Sequence, residues 1–299
     1  MKPRPTLEHI WVAYLAAVLG VSLLTPLPQT QSSGVGAHAA LHLGLLAVVL
    51  VVRWIAVHRS HEAARWWRGA LGLGGLPAVF SAMGWLLPGV HPEPFEYEWL
   101  QVDRALFGTD FVHVADPWLQ PWGVEILQLV YAAFYVTPIA AALGALWRSG
   151  RAAFDRALLL LIGGFLASYL CYLLVPTLGP KTVLAHAHDV QGLWLTERLR
   201  AGIDAAEANL WDCFPSGHTM LSLMSLIVAW RWNRLCFWGL LPIVLTLIAS
   251  TMLLRYHWAS DVLVGAALAW PCVRLCDLLM DLDAWPGAPP EGRSAPAAT

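Results

Sequence analysis

Two short segments carry residue types suited to phosphoryl transfer: Phe214-Pro215-Ser216-Gly217-His218 and, further on, Arg255-Tyr256-His257-Trp258-Ala259-Ser260-Asp261. Ser216 is placed to cap the helix that continues into the apolar run from Met220, and free N–H groups at a helix start bind phosphate. Gly217 leaves room for a ligand to approach the backbone. His218, in the first turn, can deliver a proton to a leaving oxygen. His257 and Asp261 are spaced i, i+4, which predicts one helix face. A carboxylate on one ring nitrogen fixes the tautomer and leaves the other nitrogen to attack phosphorus.

The chain that positions these residues is apolar. It is 58% hydrophobic and 13% charged, and several runs reach the roughly 20 residues that a bilayer-spanning helix requires. Runs bounded by charge, Pro or Gly predict eight spans, at about 9–25, 37–57, 69–88, 123–147, 155–176, 217–232, 236–254 and 258–280. The expected fold is all-α, a polytopic membrane helical bundle. The first span follows Met1-Lys2-Pro3-Arg4 without a small-residue cleavage site, as in a retained signal anchor. Residues 284–299, rich in Pro, Ala and Gly, read as a disordered cytoplasmic tail.

If the spans alternate, Pro176 to Lys181, Ser216 and His257 all reach one membrane face. Residues 88–122 lie there too, and the mixed run Phe95-Glu96-Tyr97-Glu98-Trp99-Leu100 suits an amphipathic segment over the site mouth. Of the 18 basic residues, only Arg104, Lys181, Arg198, Arg200 and Arg255 fall on this face. The positive-inside rule then puts the termini in the cytoplasm and the site outside it, which in a bacterium means the periplasmic side of the inner membrane.

Pro215-Ser216-Gly217-His218 followed by His257-x-x-x-Asp261 resembles the second and third signature motifs of the type-2 phosphatidic acid phosphatase superfamily. The resemblance covers about residues 69–280, which it implies to be a six-helix catalytic core, with two extra helices in residues 1–60. It further implies that His257 takes the phosphoryl group as a phosphohistidine, that Asp261 orients it, and that His218 protonates the leaving alcohol. Ser216, Gly217, Lys181 and Arg255 would bind the phosphate oxygens. The scheme uses no metal and no other cofactor.

Departures from the family pattern narrow this reading. The first-motif loop, Pro176-Thr177-Leu178-Gly179-Pro180-Lys181, offers a single cation, and the third-motif Arg position is Thr251, leaving Arg255 as the nearest substitute. Together with Asp103-Arg104-Ala105-Leu106-Phe107-Gly108 and Glu125-x-x-Gln128-x-x-Tyr131, these features resemble the inositolphosphorylceramide-synthase branch, whose members transfer phosphorylated head groups between lipids. Glu125 and Tyr131 become candidate substrate contacts. The implied partners are the membrane and a lipid phosphate or phospholipid, with ceramide or diacylglycerol as candidate acceptor, and no nucleic acid. A lipid-binding or transport protein that keeps the fold without turnover is the second reading.

Other patterns carry less. Cys213 reads as a small buried hydrophobe. His186-Ala187-His188-Asp189 is too loosely spaced for a zinc site. His38 and His42 suit a polar contact between helices.

Overall fold

A computed structural model describes residues 6–25, 32–59, 61–114, 116–186, 189–206 and 209–282. The expected tail over 284–299, the opening residues Met1 to Arg4, and His188 lie outside them. The described chain is helical, with one isolated bridge between Thr177 and Asp212 and no strand. Its helices are α1 (Thr6–Leu24), α2 (Ser32–His58), α3 (His61–Ala70), α4 (Leu76–Val90), α5 (Glu96–Phe107) and α6 (Pro121–Ala132). Then follow α7 (Thr137–Leu174), α8 (Pro180–Val183), α9 (Thr196–Ala206), α10 (Gly217–Trp232), α11 (Arg234–Leu253) and α12 (Ala259–Leu282). A π-helical turn, Leu71–Gly75, joins α3 to α4 without a break.

Among the described residues, six stretches are long and apolar enough to cross a membrane: Leu7–Leu24, Gly36–His58, Ala63–Val90, Thr137–Leu174, Arg234–Leu253 and Ala259–Met280. The chain is an integral membrane protein. At 38 residues α7 is too long for one crossing, and Gly150 interrupts it with φ 83° and ψ −171°. The Phe134 and Phe165 rings lie 6.0 Å apart, although a straight helix would hold them more than about 40 Å apart. The chain therefore folds back at Gly150, and the two arms serve the expected spans 123–147 and 155–176.

The first of those spans is itself broken. Pro138 cannot donate to the Phe134 carbonyl, the Thr137 hydroxyl donates to the Ala133 carbonyl at 2.8 Å, and a 3-10 turn over Ala133–Tyr135 separates α6 from α7. The 16 residues of α10 rise only about 24 Å. This helix packs against α7, α11 and α12, so protein surrounds it on several sides.

Buried polar groups fasten the N-terminal helices to this core. The buried Arg68 forks onto buried Glu8 at 2.7 and 3.0 Å. His38 bridges the Ser22 hydroxyl, 2.9 Å away, and the Ala82 carbonyl, 3.2 Å away, tying α1, α2 and α4 together. The His42 Nδ1 lies 2.9 Å from the His38 carbonyl. Such contacts carry weight where no water competes for the groups.

Candidate active site

Three loops at one end of the bundle are laced by their backbones. The Cys213 N–H donates to the Thr177 carbonyl at 3.1 Å, Lys181 N–H to Arg255 at 2.8 Å, and Ser216 N–H to Asp261 at 3.1 Å. The Trp258 indole donates to the Leu178 carbonyl at 2.9 Å. Gly265 permits a close approach of two backbones: a Cβ there would stand 2.5 Å from the Ser216 carbonyl oxygen. Loops distant in sequence thus become one surface, and two histidines meet on it.

His218 Nδ1 lies 3.2 Å from His257 Nε2. Both side chains are nearly closed to solvent, at 7% and 4% exposure. His218 stacks on Tyr131, with ring centroids 4.7 Å apart, and meets Phe134 at 4.2 Å. The break at residues 133–135 supplies that Phe134 wall. Tyr131 in turn stacks on Tyr256 at 4.2 Å, so it forms a wall beside the His218 imidazole.

Asp261 does not share a helix face with His257, because α12 begins only at Ala259. His257 Nδ1 donates to the Cys213 carbonyl at 2.9 Å, and the nearer Asp261 oxygen is 3.7 Å away. Asp261 instead reaches back to the Trp258 N–H at 3.1 Å and accepts the Cys213 thiol at 2.8 Å. The first of these contacts is half of a capping box. A proton on His257 Nδ1, donated to the Cys213 carbonyl, leaves the Nε2 lone pair directed at His218.

Cys213, His257 and Asp261 place ligand atoms within 4.8 Å of one another, a spacing that a metal could use. Hydrogen bonds account for the cluster. Burial, and then the nearby Asp261 charge, push the Cys213 thiol well above its ordinary value, so it stands as a protonated donor to Asp261.

Ser216 caps α10 as its sequence suggests, with its hydroxyl accepting the Thr219 N–H. The space beside Gly217 is taken: a Cβ there would come 2.4 Å from the Tyr172 hydroxyl, so the glycine accommodates a tyrosine where a ligand was expected. Lys181 pairs with Asp204 of α9 at 3.3 Å and sits over the Tyr256 ring. Arg255 donates to Asp116 at 2.7 Å in a pair buried on both sides. Glu125 is fully engaged elsewhere. Its oxygens accept the Leu193, Trp194, Leu195 and Thr196 N–H groups and the Thr196 hydroxyl, holding the start of α9.

Several contributors carry no role in the sequence reading of the site. Buried Asp103 of α5 accepts the Ser260 N–H at 2.8 Å, capping α12 between His257 and Asp261. Its neighbour Trp99 packs on Phe214 at 4.0 Å, so α5 is docked against the site loops. Asp116 holds Arg255, and His113 Nε2 lies 2.9 Å from His186 Nδ1. Burial, and then the Arg255 charge, hold the His186 imidazole below its ordinary value, so it adds no charge at neutral pH. The signal for Asp103 was its place in the Asp103-Arg104-Ala105-Leu106-Phe107-Gly108 motif, and Asp116 had only its position in the mixed apolar and charged stretch before α6.

A family profile described as PAP2 superfamily matches residues 98–275, more than half of the chain, from α5 into α12. The chain belongs to the PAP2 superfamily. No similar protein was found among the curated proteins or the solved structures. Membership of the PAP2 superfamily gives the chain a phosphoesterase-type activity at the coarse level. The matched region contains both histidines, Asp261 and the loop that carries Lys181.

Within that family frame, the third-motif Arg position has become a fastening. Buried Thr251 accepts the Tyr256 and His257 N–H groups on its carbonyl at 2.9 and 3.0 Å. Arg255 donates its N–H to Met252 at 2.9 Å and adopts φ 66°. These bonds form a Schellman motif at the end of α11, with arginine in the left-handed position where glycine is usual. The turn that stops α11 is therefore the turn that presents His257.

Proposed function

We propose that this PAP2-superfamily protein acts on a lipid phosphate or phospholipid head group through a phosphohistidine. The observation that carries the reading is the 3.2 Å approach of His218 Nδ1 to His257 Nε2 at the start of α10, with His257 Nδ1 occupied by a carbonyl. In the first step the His257 Nε2 lone pair forms a bond to phosphorus. The bond to the lipid oxygen breaks, and His218 gives its proton to that oxygen. An acceptor hydroxyl then attacks phosphorus, the P–N bond breaks, and the His218 base takes the hydroxyl proton.

The first-turn amides of α10 and its dipole favour the phosphate oxygens. Lys181 and Arg255 are the candidate cations, and each faces a carboxylate, Asp204 or Asp116, that an anionic substrate would replace. This small complement of cations favours head-group transfer to a lipid hydroxyl, in the manner of the inositolphosphorylceramide synthases that the motifs resemble, over hydrolysis to free phosphate. The charge bias of the loops supports a site on the extracytoplasmic face with the termini in the cytoplasm.

Purified protein incubated with lipids labelled in the phosphate should retain label on His257, and His257→Ala should retain none. Adding ceramide or diacylglycerol should yield a new labelled lipid with little free phosphate. Free phosphate as the main product would favour hydrolysis. An unlabelled, inactive protein that still binds the lipid would favour a binding or transport function.

A further inference from the structure

The end of the bundle opposite the histidines carries a cleft that the proposed chemistry does not use. There α10, α11 and α12 part around about 270 Å³, lined by Leu223, Leu226, Ile227, Phe237, Ala266 and Ala269. Trp230 and Trp270 form the rim, at 45% and 64% exposure. Trp230 lies about 18 Å along α10 from His218. Because α11 and α12 are long and apolar enough to cross a membrane, the cleft between them and α10 opens sideways into hydrocarbon.

Each rim tryptophan carries an arginine. The Arg234 guanidinium lies over the Trp230 ring, and that of Arg274 is 5.9 Å from the Trp270 centroid. Arg231 forks onto Asp277 with both contacts at 2.8 Å. Arg274 stands 3.9 Å from the same carboxylate and is 54% exposed. One carboxylate thus serves two guanidinium groups while Arg234 is exposed beside them, so the mouth keeps a positive charge among the described side chains. Stacking on a ring occupies the guanidinium face and leaves its N–H edge free to meet an anion.

We propose that this cleft binds an anionic phospholipid of the leaflet opposite the catalytic site, one acyl chain lying between α10, α11 and α12 and the phosphate meeting Arg234 and Arg274. Both halves of the lipid are required. A zwitterionic lipid of equal chain length fills the cleft but gains less from the arginines, and a free head group gains nothing from the apolar walls. A basic residue near a membrane surface contributes about 1 kcal/mol toward an anionic lipid, about fivefold in affinity. The site also touches the two helices that carry His218 and Asp261, so its occupant braces the helix pair that sets their spacing.

The test uses the full chain purified in neutral detergent, with thermal unfolding followed as lipid is added. Phosphatidylglycerol should raise the unfolding temperature at about tenfold lower concentration than phosphatidylcholine of the same chains, and glycerol phosphate should not raise it. Arg234→Gln with Arg274→Gln, both exposed positions, should abolish the preference for phosphatidylglycerol. Ala269→Phe, which fills the cleft, should weaken the response to both lipids. Equal responses to the two lipids, a preference that survives the double arginine variant, or a response to glycerol phosphate matching that to phosphatidylglycerol would each overturn the proposal. None of these readouts depends on turnover, so they stand apart from the catalytic reading.

Discussion

His257 Nδ1 lies 2.9 Å from the Cys213 carbonyl oxygen and 3.7 Å from Asp261, so the backbone of one loop fixes the tautomer of the imidazole on another. The carboxylate acts on that imidazole from a distance. Asp261→Asn should therefore leave the Nε2 lone pair in place and slow phosphoryl transfer by about 10- to 100-fold, as loss of an outer-shell partner does. His257→Ala should remove transfer altogether. Equal losses in kcat for the two variants would mean that the carboxylate sets the tautomer after all.

Asp103 satisfies the Ser260 N–H at 2.8 Å, one of the orphan donors at the start of α12. Asp103→Ala should cost about 1–2 kcal/mol of stability, read by thermal unfolding in detergent. It should also lower kcat, because Ser260 lies between His257 and Asp261. Asp103→Asn keeps an acceptor oxygen and should cost less. Equal destabilisation by both variants would count against the capping role.

The parts of this site that were legible in the sequence are those with local physical signals. Length and apolarity located the helices, and Ser216 before an apolar run announced a cap that the structure contains. The break at residues 133–135 was hidden because Pro138 sits in a run apolar enough to pass as one span. The partners of Glu125 and Gly217 were hidden for a common reason. An acid in an apolar stretch and a glycine beside a motif look functional until their partners are known, and those partners, the Leu193–Thr196 loop and Tyr172, are far away in sequence. The pairing of Asp116 with Arg255, 139 residues apart, likewise follows from the tertiary fold alone.

Gly265 brings α12 against the start of α10, and an added Cβ would stand 2.5 Å from the Ser216 carbonyl oxygen. Gly265→Ala should destabilise the protein by about 1–3 kcal/mol through overpacking. By moving α12, and with it the His257 turn that precedes it, away from the start of α10 that carries His218, it should also lower kcat, since a 1 Å misplacement costs about 100-fold. Gly239 of α11 is the matched control, with nothing within 4 Å of an added Cβ. Gly239→Ala should leave activity intact and raise stability slightly, by about 0.5–1 kcal/mol. Equal effects at the two positions would refute the packing argument.

Arg255 combines two properties that substitution can separate. Its backbone occupies the left-handed region at φ 66°, which costs a residue with a Cβ about 1–2 kcal/mol. Its guanidinium meets Asp116 in a buried pair. Arg255→Ala and Arg255→Gly both lose that pair, leaving the same buried carboxylate behind, but glycine alone relieves the backbone. The glycine variant should therefore be the more stable, by about 1 kcal/mol, in thermal unfolding. If Arg255 serves the substrate phosphate, the two variants should show the same rise in KM, because neither supplies a cation. Arg255→Lys should recover part of the binding while keeping the strained turn. A glycine variant no more stable than the alanine one would mean that the turn opens when the guanidinium is lost, and that the ion pair with Asp116 is what holds His257 in place.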